Sequence, residues 1–183
     1  MEQFDITEQL RLRFTEAIGE ALTHRGQVAV LVDRAPILEI LRFLKIDQQM
    51  NHLNCLCGVD NLKRKWAHTE RFEVVYQLYS MQNRTSLRIK AQIPESDPSI
   101  DSITSLWTGA DWLERETYDL FGIDFTGHPN LRRILTPEDW QGYPLRKEYG
   151  LRGDVEWHGF VELKEKARQL EQFDFYGPQI AQE

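Results

Sequence analysis

Two groups of residues in this chain have the types needed for chemistry. The first is His52-x-x-Cys55-x-Cys57, with His68 further along. Thiols and imidazoles at short spacing are soft-metal ligands. The surrounding residues argue against a metal. Leu53, Cys55, Cys57 and Val59 alternate as one face of a strand, and His52 then has the opposite parity. A structural zinc site needs four well-spaced ligands, and an iron–sulfur cluster needs about four cysteines. The expectation is no metal and two small buried thiols.

The second group is Glu114, Glu116 and His128, which would suit acid–base catalysis if burial raised the carboxyl pKa values. A free-standing acid–base enzyme using Glu116 and His128 is therefore one reading. No nucleophile or phosphate loop lies nearby in sequence, so catalysis by this chain is not the expected role. Partly buried carboxylates need cationic partners, and Arg132, Arg133, Arg146 and Lys147 follow closely. The expected pairing is Glu114 or Glu116 with one of these arginines. The Arg132-Arg133 and Arg146-Lys147 doublets would also suit phosphate. Glu138, Asp139 and Glu148 dilute that charge, which favours a protein partner. Trp107 and Trp112 read as core or interface anchors.

These residues need elements to hold them. Residues 5–25 fit an amphipathic helix with Leu10, Phe14, Ala17, Ile18 and Ala21 on one side. Asp5 and Glu8 fit a capping box there, and Gly26 a stop. QVAVLVD is a short buried strand, and Ala35-Pro36 opens a second helix with Ile37, Leu38, Leu41 and Leu44 inward. Period-two patterns at 51–59, 71–80 and 84–93 give three more strands, with a hairpin turn at 81–84. PESDPSID at 94–101 is a polar linker. A third helix spans 109–121, with Thr108 and Asp111 as a capping box and Gly122 at its C-terminal end. Its core stripe is Ala110, Leu113, Thr117, Leu120 and Phe121, bordered by Glu114 and Glu116. Arg115 faces outward, flanked by Asp111 and Asp119 as an ion-pair ladder. GIDFTG is a short strand, Thr136-Pro137 a helix start, and 160–172 a final helix before FDFYGPQ.

The totals narrow the function classes. Of 183 residues, 41% are hydrophobic and 28% charged, as in a folded domain, and the net charge is −7. An acidic chain lacks the basic footprint that nucleic acid requires. The N-terminus has no apolar signal segment, and the longest apolar runs are too short to span a bilayer. Two cysteines exclude a disulfide framework and fit a cytosolic location.

The segment from Gly122 to about Val155 is the unusual part. Loops longer than about 12–15 residues are rare in compact domains unless functional or disordered. This one carries Phe125, Leu131, Ile134, Leu135, Trp140, Tyr143, Leu145 and Tyr149 among prolines and arginines, so it is not disordered by composition. Such residue types dominate interface hot spots. The expected domains are an α+β core over 1–121, with a mixed sheet of four to five strands and helices on one face, and an extended interaction arm and tail over 122–183.

The run Glu114-Arg115-Glu116-x-x-Asp119-Leu120-Phe121-Gly122-Ile123-x-Phe125-x-Gly127-His128-Pro129-x-Leu131-Arg132-Arg133-Ile134-Leu135 resembles the signature of the 30-kilodalton subunit family of respiratory complex I. Asp139-Trp140-x-Gly142 followed by Pro144-Leu145-Arg146-Lys147 continues it. The order of upstream elements is also similar, so the likeness spans nearly the whole domain. Glu148-Tyr149-Gly150 departs from the Asp, aromatic and Pro of many relatives. The closing FDFYGPQ is a weaker likeness, shared in part with photosynthetic NAD(P)H dehydrogenase-like complexes.

The resemblance implies a non-catalytic peripheral-arm subunit that binds no cofactor, with FMN and iron–sulfur clusters in partner subunits. It implies packing against the 49-kilodalton-type subunit and the small iron–sulfur subunits of the quinone module. It also implies a place on the cytoplasmic face of the bacterial inner membrane, held through partners. Analogous complexes, the photosynthetic-type dehydrogenase and group 4 membrane-bound hydrogenases, are the alternative. The interface and arm-anchoring positions expected on this reading are Glu114, Arg115, Glu116, Asp119, Gly122, His128, Pro129, Leu131, Arg132, Arg133, Trp140, Pro144, Leu145, Arg146 and Lys147.

Overall fold

A computed structural model describes residues 3–62, 70–150 and 159–171. His68 and FDFYGPQ lie outside them. The chain forms two compact units, Met1–Tyr149 and Gly150–Glu183. The boundary expected after Phe121 falls inside the first unit.

That unit contains helix α1 (Gln3–Arg13), strands β1 (Ile18–His24) and β2 (Gln27–Asp33), and helix α2 (Ile37–Ile46). Strands β3 (His52–Asp60), β4 (Phe72–Ser80), β5 (Thr85–Ile93) and β6 (Ser99–Asp101) follow, then helix α3 (Ala110–Phe121) and strand β7 (Asp124–Thr126). The second unit holds α4 (Gly159–Glu171). The main sheet has the order β1-β2-β5-β4-β3; β2 and β5 are parallel and the other pairs antiparallel. Strands β6 and β7 form a small parallel pair. The fold is α+β, as expected.

One face of the sheet makes the core. Val28, Val30 and Val32 of β2, Phe72, Val74, Tyr76 and Leu78 of β4, and Leu87, Ile89, Ala91 and Ile93 of β5 are all buried there. They join Ile6 and Leu10 of α1 and Ile37, Ile40, Leu41, Phe43 and Leu44 of α2 in one cluster. On the other face, Lys90 and Gln92 donate to Glu73 at 3.0 and 2.9 Å, and Arg88 donates to Gln77 and Gln27 at 3.0 and 3.1 Å. The period of two thus separates an apolar layer from a polar one.

Several local expectations are corrected. The helix expected over 5–25 stops at Arg13, and its second half is β1. His24 pairs with Gln27 across Arg25 (φ 50°) and Gly26 (φ 75°), so Gly26 serves a two-residue hairpin and ends no helix. Pairing with β2 overrides a helical pattern that α1 alone cannot extend. The thiols expected to be buried are exposed. The register of β3 against β4 shifts between Leu53 and Cys55, after which Leu56 faces the core opposite Tyr76 while Cys55 and Cys57 oppose Gln77 and Val75. A one-residue bulge moves every later side chain to the other face. The same shift puts His52, opposite Tyr79, on the face of the cysteines, contrary to the simple parity count.

The Thr108–Asp111 capping box does not form: Gly109 is the N-cap of α3 and no side chain caps it. Gly122 does take the left-handed C-terminal position. At Thr136-Pro137 there is a turn closed by Trp140 N to Pro137 O at 3.0 Å, with no helix. Thr136 spends its hydroxyl on Asp119 instead of on a cap.

Candidate functional site

The segment from Gly122 to Tyr149 is held along α3, and the side chains that hold it lie at both ends of that helix. Near the C-terminal end is Asp119, whose side chain is fully buried. Its Oδ2 accepts three successive backbone N–H groups, from Ile134 (3.0 Å), Leu135 (2.7 Å) and Thr136 (2.9 Å). Its Oδ1 accepts from Arg133 Nη1 at 2.7 Å and from the Thr136 hydroxyl. Burial alone would raise the Asp119 pKa; the hydrogen bonds from Thr136, Arg133 and Leu135 outweigh it and hold the carboxyl far below the usual range. Arg133 then reaches the carbonyls of Trp140 (3.2 Å) and Gly142 (3.0 Å). One ion pair therefore ties α3 to several points of the arm.

Arg146 completes this end. Its Nε donates to Phe121 O at 2.6 Å, and its guanidinium lies 4.5 Å from the Tyr143 ring centre and 5.1 Å from that of Phe72. A cation thus meets the unpaired carbonyls of a helix C-terminus, where the dipole favours it. Leu145 N adds a bond to Leu120 O at 3.0 Å. Gly122 turns the chain at φ 69°, and a Cβ there would sit 2.5 Å from the Tyr143 ring.

Further on, Lys147 N donates to Asp60 Oδ2 at 2.8 Å, and Arg71 bridges Asp60, Glu95 and Glu148. Burial would raise the Asp60 pKa, but Arg71 and the N–H groups of Lys147 and Leu62 bring it below the usual carboxylate value.

At the N-terminal end, Glu114 is fully buried and accepts from Ile103 N and Ser102 Oγ, each at 2.7 Å. Burial raises its pKa to about 7 despite those bonds. His128 has a fully buried side chain; its Nε2 lies 3.2 Å from Asp111 Oδ1 and 3.9 Å from Glu114 Oε2. Asn130 N donates to His128 Nδ1 at 3.0 Å, which leaves the Nε2 side to carry the proton. Arg115 donates to the carbonyls of Arg132 (3.1 Å) and Arg133 (3.2 Å), so it clamps the arm and forms no ladder with Asp111 and Asp119.

The expected pairing of Glu114 or Glu116 with an arm arginine is thus corrected: Asp119 takes that role. A stripe defined by apolar residues alone hid it, because Asp119 is buried by the arm and not by the sheet. Glu116 is exposed, so the Glu116–His128 acid–base pair does not form either. His128 faces Glu114 and Asp111, where it and Glu114 are closed to solvent. Ser102, Asp60, Arg71 and Thr136 were missed; each joins the site through a partner distant in sequence, which no local pattern encodes. Among the described residues, no group of three His, Cys, Asp or Glu side chains is placed to hold a metal ion.

The remaining expected positions point outward. Glu116, Pro129, Arg132, Leu145 and Lys147 are exposed, while Leu131, Trp140 and Pro144 are half-buried. Trp112, Leu135 and Leu145 are large apolar side chains with 64%, 63% and 49% exposure. The Trp140 indole N–H is buried without an acceptor. The arm therefore has an inner side that locks to α3 and an outer side that exposes Leu135 and Leu145 together with charges of both signs, Arg132 and Lys147 among Glu138, Asp139 and Glu148.

Residues 30–155, from within β2 to beyond the arm, match the family described as the 30 Kd subunit of the respiratory-chain NADH dehydrogenase. The chain belongs to this 30 kDa subunit family. Every anchor described above falls within the matched range. Among the family's members, an NADH-quinone oxidoreductase subunit of Citrifermentans bemidjiense is 48% identical over 145 residues, covering 79% of this chain and 88% of that one. The counterpart of the same name in Roseiflexus sp. is 46% identical over 153 residues, covering 82% and 86%. That of Hyphomonas neptunium is 38% identical over 183 residues, covering 95% and 88%. Among solved structures, the trypsin-resistant fragment (1–134) of Nqo5 superposes with a TM-score of 0.65 at 32% identity, covering 72% of this chain and all of the fragment. A chain of the membrane-bound sulfane sulfur reductase, an archaeal respiratory membrane complex, shares the fold with a TM-score of 0.61 at 21% identity, covering 93% and 94%. No helix among the described residues is long and apolar enough to cross a membrane.

Proposed function

We propose that this chain is a non-catalytic assembly subunit in the peripheral arm of a proton-pumping NADH-quinone oxidoreductase. It works in a hetero-oligomer with other complex I subunits and stabilises the quinone-reducing module. Its partners are the 49-kilodalton-type subunit and the small iron–sulfur subunits. Electrons travel from NADH through FMN and iron–sulfur clusters in those neighbours to quinone. The chain binds no cofactor and is held to the cytoplasmic face of the inner membrane through its partners.

The observation that carries this reading is the two-sided arm. Asp119, Arg133 and Arg146 fix its path along α3, and Trp112, Leu135, Leu145, Arg132 and Lys147 remain exposed. Rigid apolar and arginine side chains on a preordered backbone are suited to binding a partner at low entropic cost. The test is the double substitution Leu135→Asp and Leu145→Asp. The expected result is an isolated chain of unchanged melting temperature, with assembled complex in native gels of detergent-solubilised membranes reduced about tenfold or more. Full assembly of the double variant would overturn the proposal. A pull-down from the same membranes should recover the 49-kilodalton-type subunit, whereas recovery of hydrogenase subunits would favour the alternative complex.

A further inference from the structure

The outward face of β3 carries the chain's two cysteines, and the interface reading does not use them. We propose that Cys55 and Cys57 form a two-thiol site for a soft thiophilic centre that bridges two sulfurs, trivalent arsenic being the ligand class that fits. The bulge after Leu53 turns both residues outward, opposite Gln77 and Val75, and both are exposed and free of any disulfide. The two residues stand two positions apart on the same face of one strand.

Spacing selects the chemistry. Residues i and i+2 of a strand lie about 6.8 Å apart, at the upper edge of the Cα separation a disulfide tolerates. A direct S–S bond would strain the strand. An atom placed between the sulfurs spans the wider gap. Zinc in structural sites takes four protein ligands; His52 shares this face, but no group of three His, Cys, Asp or Glu side chains among the described residues is placed to hold a metal ion. An organoarsenical brings its own third ligand, a carbon. The step balances without a redox partner. With an arsine oxide, two As–S bonds form and the As=O bond breaks. The two thiol protons leave with the oxygen as one water, and arsenic stays trivalent.

Protonation favours a chelator over single-site reagents. Neighbouring atoms crowd the Cys57 thiol although the residue is exposed overall; this burial, and then Cys55, push its pKa up to about 11. A protonated thiol is a poor nucleophile toward alkylating agents. A bidentate ligand gains instead from the second thiol's high effective concentration.

The test uses the full chain and phenylarsine oxide. One equivalent is expected to bind, to protect both cysteines together from a prolonged iodoacetamide treatment that alkylates both in the unliganded chain, and to be released by 2,3-dimercaptopropanol but not by excess 2-mercaptoethanol. Cys55→Ser and Cys57→Ser should each weaken binding by about 100-fold. The proposal is overturned if the wild-type chain does not bind, if one cysteine stays open to alkylation at saturation, or if either variant binds as tightly. The alkylation experiment needs no variant, so it decides the question even if a serine substitution impairs folding.

Discussion

Asp119 shows how one residue can hold a segment that lacks regular structure. Its carboxylate takes the place of a strand partner for Ile134, Leu135 and Thr136, and Arg133 balances its charge. Removing Arg133 as Arg133→Ala leaves a buried charge unpaired, and unfolding in urea should show a loss of about 3–5 kcal/mol. Glu114 is the opposite case, a buried carboxyl with its pKa raised to about 7. Its contribution to stability is fully present below the unfolded carboxyl pKa of about 4.3 and lost as pH rises through the folded value. Wild type minus Glu114→Gln, compared by urea midpoints at pH 5 and pH 8, should therefore fall by on the order of 3 kcal/mol. A flat difference would show that Glu114 is ionised throughout. The low pKa of Asp119 acts with the other sign: its contribution is present above about pH 4 and lost as pH falls toward its depressed value. Neither role was legible locally. The sequence marks both residues as borders or outward positions of a helix, and only the contacts with Ser102, Ile103 and Arg133 reveal their burial.

At the scale of elements, α3 is a spine with two working faces. One packs on β3, where Gly58 leaves room for Phe121 and Thr117; a Cβ there would meet Phe121 Cδ2 at 2.7 Å. The other carries the arm. Gly122 joins them, since its φ of 69° and the Tyr143 ring together exclude a side chain. Gly122→Ala should cost about 2–4 kcal/mol, from left-handed strain plus overpacking. Gly127 has φ 82° with nothing near its missing Cβ, so Gly127→Ala should cost only about 1–2 kcal/mol. Thermal melts of the two variants separate a crowded turn from an open one. Most elements were readable from periodicity: α2, β2, β4, β5, α3, β7 and α4 lie where the pattern puts them. β1 was not, because Leu10, Phe14, Ala17, Ile18 and Ala21 satisfy a helical period by coincidence. The hairpin turn at Arg25-Gly26, closed by the pairing of His24 with Gln27, decides the case. Periodicity places β3 correctly along the chain and Leu53 on the core side, but turns the residues from Cys55 onward the wrong way, because a bulge leaves no mark in a count of alternating residues.

At the scale of the whole molecule, the arm separates residues that hold it from residues that face outward. Arg146 is internal and Arg132 is exposed, although both sit in basic doublets. Arg146→Ala should lower the melting temperature of the isolated chain, by several degrees for a loss of about 1–3 kcal/mol. Arg132→Ala should leave that temperature unchanged and lower the amount of assembled complex in native gels. Equal behaviour of the two would sink the division into inner and outer sides. By itself the sequence determined the α+β class, the strand-rich centre and the family, because periodicity and a long mixed motif are properties of neighbouring residues. Tertiary structure alone decided which carboxylate anchors the arm, which way the cysteines face and which motif residues stay exposed. Those outcomes depend on contacts between residues far apart in the chain, and burial is a property of the folded surroundings and not of the residue.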